Sequence, residues 1–188
     1  MEGPKQENRS VRETKRRLYT ALIALMHQKP LQEITVRELT TQAGVSRGTF
    51  YFHYSDLREL MQELEQQHLD HLQALVEQLM PQLAANEVPP ALLALLMYLQ
   101  ENADICRALY GVYGDPDFAQ KVKRFLANQC LGHMAPDGGT PRQKLLTTFA
   151  VEGCFGTILA WQELGYYPPA EETARTAWQA IREVERLI

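Results

Sequence analysis

From Ser10 to His27 the apolar residues Val11, Leu18, Ala21, Leu22, Leu25 and Met26 return at steps of three and four, the period of a helix with one buried face. Pro30 stops that helix. Leu31 and Ile34 cover a short link, and Thr35 then opens a second helix as N-cap, with Glu38 placed to complete a capping box. This helix is expected to run to Ala43. Gly44 follows where a left-handed backbone is needed, and Ser46 caps the next helix two residues later. Thr35 to Tyr54 therefore reads as two short helices joined by a tight Gly-Val-Ser bend, which is the helix-turn-helix spacing. Leu39, Ala43, Val45 and Phe50 are the residues to fill the angle between them, with Tyr54 as further core.

A fourth helix, capped by Ser55 or Asp56, keeps helical spacing through Leu57, Leu60, Met61, Leu64, His68, Leu72, Leu75, Val76 and Leu79 up to the break at Pro81. At about 25 residues it would span on the order of 37 Å, enough to bridge two domains. Beyond Pro89 and Pro90 come three more periodic segments, Ala91 to Asn102, Asp104 to Gly111 and Asp117 to Gly132, separated by Gly, Pro or Asp. Ala135 to Pro141 reads as a loop. Two helices remain, Arg142 to Leu164 and Ala170 to Ile188. No segment has the alternation of a strand, so the fold class is all-α with eight or nine helices. A helix-turn-helix domain with a basic N-terminal segment occupies residues 1–55, and a helical regulatory and dimerisation domain occupies residues 56–188.

Charge sharpens this division. The chain carries a net −4 overall, but residues 1–60 hold ten Lys and Arg against seven Asp and Glu, while the remainder is acidic. Arg9, Arg12, Lys15, Arg16 and Arg17 concentrate the positive charge further, so only the front of the chain would be drawn to a polyanion. No apolar run is long enough for a membrane span, and the first eleven residues are polar rather than a secretory signal, so a cytoplasmic location is expected. The three cysteines, Cys106, Cys130 and Cys154, are odd in number and widely spaced, which favours buried thiols over a disulfide framework.

An enzyme fails on inventory. There is no phosphate loop, no Gly-x-Ser-x-Gly elbow and no metal-spaced cluster. His68 and His71 stand three apart on what reads as a polar helix face, too few ligands for a metal site. No cofactor is expected.

The stretch from Thr35 to Leu60 resembles the DNA-binding signature of the TetR family of bacterial transcriptional regulators. The likeness rests on the turn glycine, the Val45-Ser46 entry, Gly48-Thr49-Phe50-Tyr51, the aromatic run into His53 and Tyr54, and the Leu57-Arg58-Glu59-Leu60 helix start. It runs from Val11 to about Leu64. Ala108-Leu109-Tyr110-Gly111, Gly156-Thr157-Ile158-Leu159-Ala160-Trp161 and the final helix look like that family's more variable regulatory region.

The helix from Arg47 to Tyr54 is then the one to enter a major groove. Gly48 lets the backbone approach a base edge, Thr49 offers a methyl to thymine and a hydroxyl to phosphate, and the planar fork of Arg47 matches the paired acceptors of guanine. Thr35 and Ser46 bring helix N-termini towards phosphates. The resemblance implies that Arg37 also faces a base and that Tyr51 and His53 contact phosphates. Many relatives have a phosphate-contacting lysine at the position of Leu57, and Arg58 is the neighbouring cation here.

One helix-turn-helix buries too little surface for tight specific binding, so a homodimer on a palindrome is expected. Phe149, Gly153, Gly156, Thr157, Ala160 and Leu164 line one C-terminal helix with small residues that allow close approach. Ala174, Ala177, Trp178, Ile181, Val184 and Ile188 form a stripe on the other, and two such pairs would make a four-helix bundle. An effector site for a small apolar or aromatic molecule is expected among the middle helices, walled by Met97, Tyr98, Tyr110, Tyr113, Phe118, Phe125 and Trp161. The expected partners are thus double-stranded DNA, a second copy and this effector. The resulting function is a repressor released by the effector. The alternative is a protein-binding adaptor that keeps the fold.

Overall fold

The computed structural model describes residues 9–82, 87–134 and 137–187, with only the backbone of Met134. Ile188, Ala135, Pro136 and the first eight residues, on which expectations above fall, lie outside the described residues. Among the described residues there are nine α-helices, in the order α1 (Arg9–Met26), α2 (Val36–Ala43), α3 (Arg47–His53), α4 (Leu57–Leu79), α5 (Pro90–Glu101), α6 (Ala103–Tyr110), α7 (Pro116–Met134), α8 (Pro141–Glu163) and α9 (Ala170–Glu185). No strand occurs among them. Helix ends fall within two residues of the sequence reading except that α9 ends at Glu185, three residues before the expected Ile188. The differences are local: the link Leu31–Glu33 winds as a 3-10 turn, and Met80–Gln82 carries another through Pro81.

The described residues form two compact units. One unit contains residues 9–67 together with Asp104–Asp115, and the other contains His68–Ala103 and the residues from Pro116 onward, in each case the described ones. In the first unit α1 turns Leu18, Ala21, Leu22, Leu25 and Met26 inward, and α1 packs on α2. Leu18, Leu22, Leu39, Phe50 and Leu60 are fully buried. Each such side chain contributes about 1.5–3 kcal/mol by leaving water, which is what holds these short helices. Polar ties fix the register of α1 against α4: Lys15 Nζ pairs with Glu63 Oε1 at 2.8 Å, and Gln67 Nε2 donates to Tyr19 Oη at 2.8 Å.

In the second unit, α5 packs on α9 and α7 on α8. Leu79, Ala91, Leu92, Leu96, Trp161, Ala170, Ala174 and Trp178 form its core cluster. α8 starts with a capping box between Thr140 and Gln143 and a proline in its first turn, so its N-terminus is fixed by local chemistry. Its C-terminus closes as a Schellman motif. Gly165, at φ 68°, donates to Gln162 O at 3.1 Å, Tyr166 donates to Trp161 O at 2.9 Å, and the Tyr166 ring packs edge-on against Trp161 at 4.9 Å. Trp161 Nε1 donates to Pro168 O at 2.6 Å, which satisfies the indole inside the core.

Two expectations are corrected here. Ala174 and Trp178, placed by the sequence at a dimer interface, belong to the core of their own chain. The period of α9 identified an apolar face, and that face is covered by α5. His68, read as lying on a polar face, is buried at 3% exposure, while His71 is exposed. No helix of the described residues is long and apolar enough to cross a membrane.

Candidate nucleic-acid interface

The turn between α2 and α3 is built from local chemistry first. Thr35 Oγ1 accepts the Glu38 N–H at 3.2 Å, and the Glu38 carboxylate accepts from the Thr35 N–H at 2.9 Å, so α2 has the expected capping box. Lys29 Nζ also reaches Glu38 at 2.7 Å. That hydrogen bond, followed by those from Thr35, holds the carboxyl down to about 2. Gly44 at φ 63° closes α2, donating to Thr41 O at 3.2 Å while Val45 donates to Thr40 O at 3.0 Å. Ser46 Oγ accepts from Thr49 N at 2.9 Å and starts α3.

Arg17 of α1 grips this bend, its Nη2 donating to Gly44 O at 2.7 Å. A Cβ at Gly44 would come within 2.4 Å of that nitrogen, in a conformation L residues adopt only under strain. Gly44→Ala is therefore expected to cost about 1–2 kcal/mol of stability. It would be read as a lower urea midpoint at unchanged slope.

The seven residues of α3 divide sharply by face. Phe50 is fully buried and Tyr54, just beyond the helix, is 3% exposed. Arg47 and Gly48 are exposed, as are Tyr51 at 58% and Phe52 at 82%. Thr49 and His53 are half-buried. Of the other sequence-predicted positions, Thr35, Arg37, Ser46 and Arg58 are all exposed, and every one of the nine belongs to the first unit. Arg37, Arg47 and Arg58 make no ion pair among the described residues, whereas Lys15, Arg16 and Lys29 are each paired to a glutamate.

Geometry changes one of the expected contributions: the Thr49 hydroxyl lies 2.8 Å from that of Ser46, so it is engaged within the protein. The Thr35 hydroxyl donates to Glu38 at 2.8 Å. Phe52, which is not among the sequence-predicted site residues, is the most exposed aromatic of the helix. The signal was available: two residues on from the buried Phe50, a helical position points to nearly the opposite side.

The second unit holds a cavity of about 140 Å3 between the end of α4 and helices α5, α7, α8 and α9. Its walls include Val76, Leu96, Leu126, Thr147, Val151 and Ile158. None of the seven residues expected to line an effector site takes part. Met97 and Tyr113 are 44% and 41% exposed, Tyr110 and Tyr113 belong to the first unit, and Phe118 and Trp161 are core at 3% each. Tyr98 stacks on His71 at 4.3 Å with its hydroxyl 3.0 Å from His68 Nδ1, and Phe125 is half-buried. Aromatic side chains fill space, and the cavity lies where small residues such as Ala150, Cys154 and Ala177 leave it open.

On α8 a second apolar feature faces outward. Phe149 is 68% exposed and Leu164 67%, with Gly153, Gly156, Thr157 and Ala160 exposed between them and Leu145 adding a further 73% exposed side chain. Ala177 and Ile181 of α9 are half-buried at the cavity instead.

Two capped short helices with the second presented to solvent define a helix-turn-helix DNA-binding domain, accompanied by a larger helical unit. The family description "Bacterial regulatory proteins, tetR family" matches residues 18–64, and "Transcriptional regulator C-terminal region" of the same family matches residues 86–183. The second match alone spans more than half of the chain, and the chain belongs to the TetR family of transcriptional regulators. Its fold is similar to that of a TetR transcriptional regulator from Streptococcus agalactiae 2603V, with TM-score 0.64 and 22% identity over 92% of this chain and 96% of that one. A transcriptional regulator from Aquifex aeolicus VF5 matches with TM-score 0.62 and 17% identity, over 91% and 99% of the two chains. The fatty acid degradation regulator FadR from Bacillus halodurans matches with TM-score 0.61 and 14% identity, over 95% of each. No curated protein is similar enough in sequence to count as a match.

Proposed function

We propose that the protein is a homodimeric repressor that reads a palindromic operator through α3 and is released by a small molecule held in the second unit. The observation that carries this reading is the division of α3, in which Phe50 anchors the helix while Arg47, Gly48, Tyr51 and Phe52 are left to solvent. In this reading Arg47 and Arg37 contact bases, with Gly48 and the Thr49 methyl closing on the groove wall. Thr35, Ser46, Tyr51, His53 and Arg58 hold phosphates and fix the register. Phe52 adds an apolar surface of the kind that meets a thymine methyl.

The exposed α8 face supports pairing. Leu145, Phe149 and Leu164 bracket the small residues Gly153, Gly156 and Ala160, so two copies can approach closely about a two-fold axis. A dimer sets two α3 helices on half-sites about one DNA turn apart.

The test is selection from random duplexes by the full protein. The expected product is a palindromic consensus, and Arg47→Ala should weaken binding to it by about 1–3 kcal/mol per half-site and relax one base position. An unenriched pool, with Arg47→Ala indistinguishable from the parent, would overturn the DNA reading and favour an adaptor that keeps the fold.

A further inference from the structure

The cavity of the second unit has an unusual polar inventory. Three threonines line it, and two have settled hydroxyls: Thr157 Oγ1 donates to Gly153 O at 2.8 Å and Thr173 Oγ1 to Pro168 O at 3.2 Å. Thr147 differs. It is 2% exposed, and among the described residues its Oγ1 has no hydrogen-bond partner. The helix itself offers an outlet, because the adjacent Thr148 donates to the carbonyl four residues back, Lys144 O, at 2.9 Å. A buried hydroxyl left unmet is unfavourable and rare, and at a cavity wall it is the position where a ligand's polar atom would be met. A helical threonine has two accessible rotamers that exchange methyl and hydroxyl, so the group can turn to such an atom.

Charge and size narrow the ligand further. The wall carries no Lys, Arg or His, and its one acid, Glu185, is already paired with Arg182 Nη1 at 2.8 Å. Burial holds the thiols of Cys130 and Cys154 up, that of Cys130 to about 11, so both stay protonated and neutral at pH 7. An anionic ligand would enter with no counter-ion to replace its water, which apolar walls do not permit. A volume of about 140 Å3 is close to that of an engineered apolar cavity of about 150 Å3 that takes benzene.

We propose that this cavity takes a small uncharged molecule, a benzene-sized apolar body bearing one hydroxyl or carbonyl, with that group hydrogen-bonded to Thr147 Oγ1. The proposal rests on reading the second unit as the effector-binding part, and it fixes the class of effector.

The test is calorimetric titration of the full protein, without DNA, with p-cresol, toluene and p-toluate. p-Cresol should bind about five- to tenfold more tightly than toluene, the worth of one hydrogen bond, and p-toluate should give no saturable binding. Thr147→Val, which keeps the shape and removes the hydroxyl, should bring p-cresol down to the level of toluene and leave toluene unchanged. Thr147→Ser should retain the preference. Equal affinity for p-cresol and toluene in the parent protein would overturn the proposal. So would p-toluate binding as tightly as p-cresol, a Thr147→Val loss shared equally by toluene, or no saturable binding of p-cresol. A separate duplex titration keeps the two readings apart: p-cresol that binds without altering duplex affinity sinks release by this ligand and leaves the ligand class standing.

Discussion

Replacing Phe50 with alanine is expected to cost about 3–5 kcal/mol, the usual penalty for emptying the site of a wholly buried aromatic. Phe50 has no exposed surface and is the one fully buried side chain of α3, with Tyr51 edge-on at 5.3 Å and Tyr54 at 5.8 Å. A helix of seven residues cannot persist alone, because nucleation is unfavourable and too few hydrogen bonds follow it. Total stabilities of domains run to only about 5–15 kcal/mol, so the loss should melt α3 at temperatures where the parent is folded. Hydrogen exchange checks this: protection of amides in α2 and α3 should collapse. The emission of Trp161 and Trp178, both in the second unit, should keep its parental wavelength. Parental protection in α3 would show that Phe50 is not its anchor.

Acid is expected to weaken the second unit through His68. Burial, with a smaller contribution from the charge of His71, pulls the His68 pKa down to about 4, from an ordinary value of 6.5. The Tyr98 hydroxyl lies 3.0 Å from its Nδ1, the Tyr98 ring lies 5.7 Å from it and stacks on His71 at 4.3 Å, and Phe118 lies at 6.4 Å. Between these two pKa values the unfolded chain takes up a proton that the folded ring refuses. Stability is therefore fully present above about 6.5, falls as pH drops towards 4, and loses nothing more from this group below that. Over the whole window the loss is about 3 kcal/mol. The depressed carboxyls, Glu38 above all, act in the same direction only at lower pH, since theirs is lost as pH falls through the acid range towards 2. Thermal denaturation between pH 5 and 7 should thus slope steeply in the parent and flatten in His68→Gln, which keeps a hydrogen-bonding group and does not titrate. An unchanged slope in the variant would remove His68 from the account.

What the sequence revealed and what it concealed follows the range of the interactions involved. The helix-turn-helix was legible because its determinants lie within a few residues of one another: Thr35 with Glu38, Gly44 at the bend, Ser46 with Thr49. The inward side of α3 was legible from Phe50. The role of Arg17 was hidden, because its partner Gly44 lies 27 residues away in sequence. The apolar period of α9 located a face without naming its neighbour, and Ala174 and Trp178 proved to serve their own core. His68 sits four residues from both Leu64 and Leu72, a spacing that places it on their buried face, while its pairing with His71 in sequence pointed to a polar one. The cavity was least legible, since it is set by where small side chains on α7, α8 and α9 fail to fill a space, and the aromatic residues expected to line it are the ones that fill theirs.

The asymmetry of α3 has an evolutionary corollary. A single inward residue secures the helix, and Arg47, Gly48, Tyr51 and Phe52 contribute little to keeping it folded. Substitutions at those positions can rewrite what the surface recognises while the architecture persists, so descendants of this chain are free to drift to new addresses by single steps without passing through an unfolded intermediate sequence.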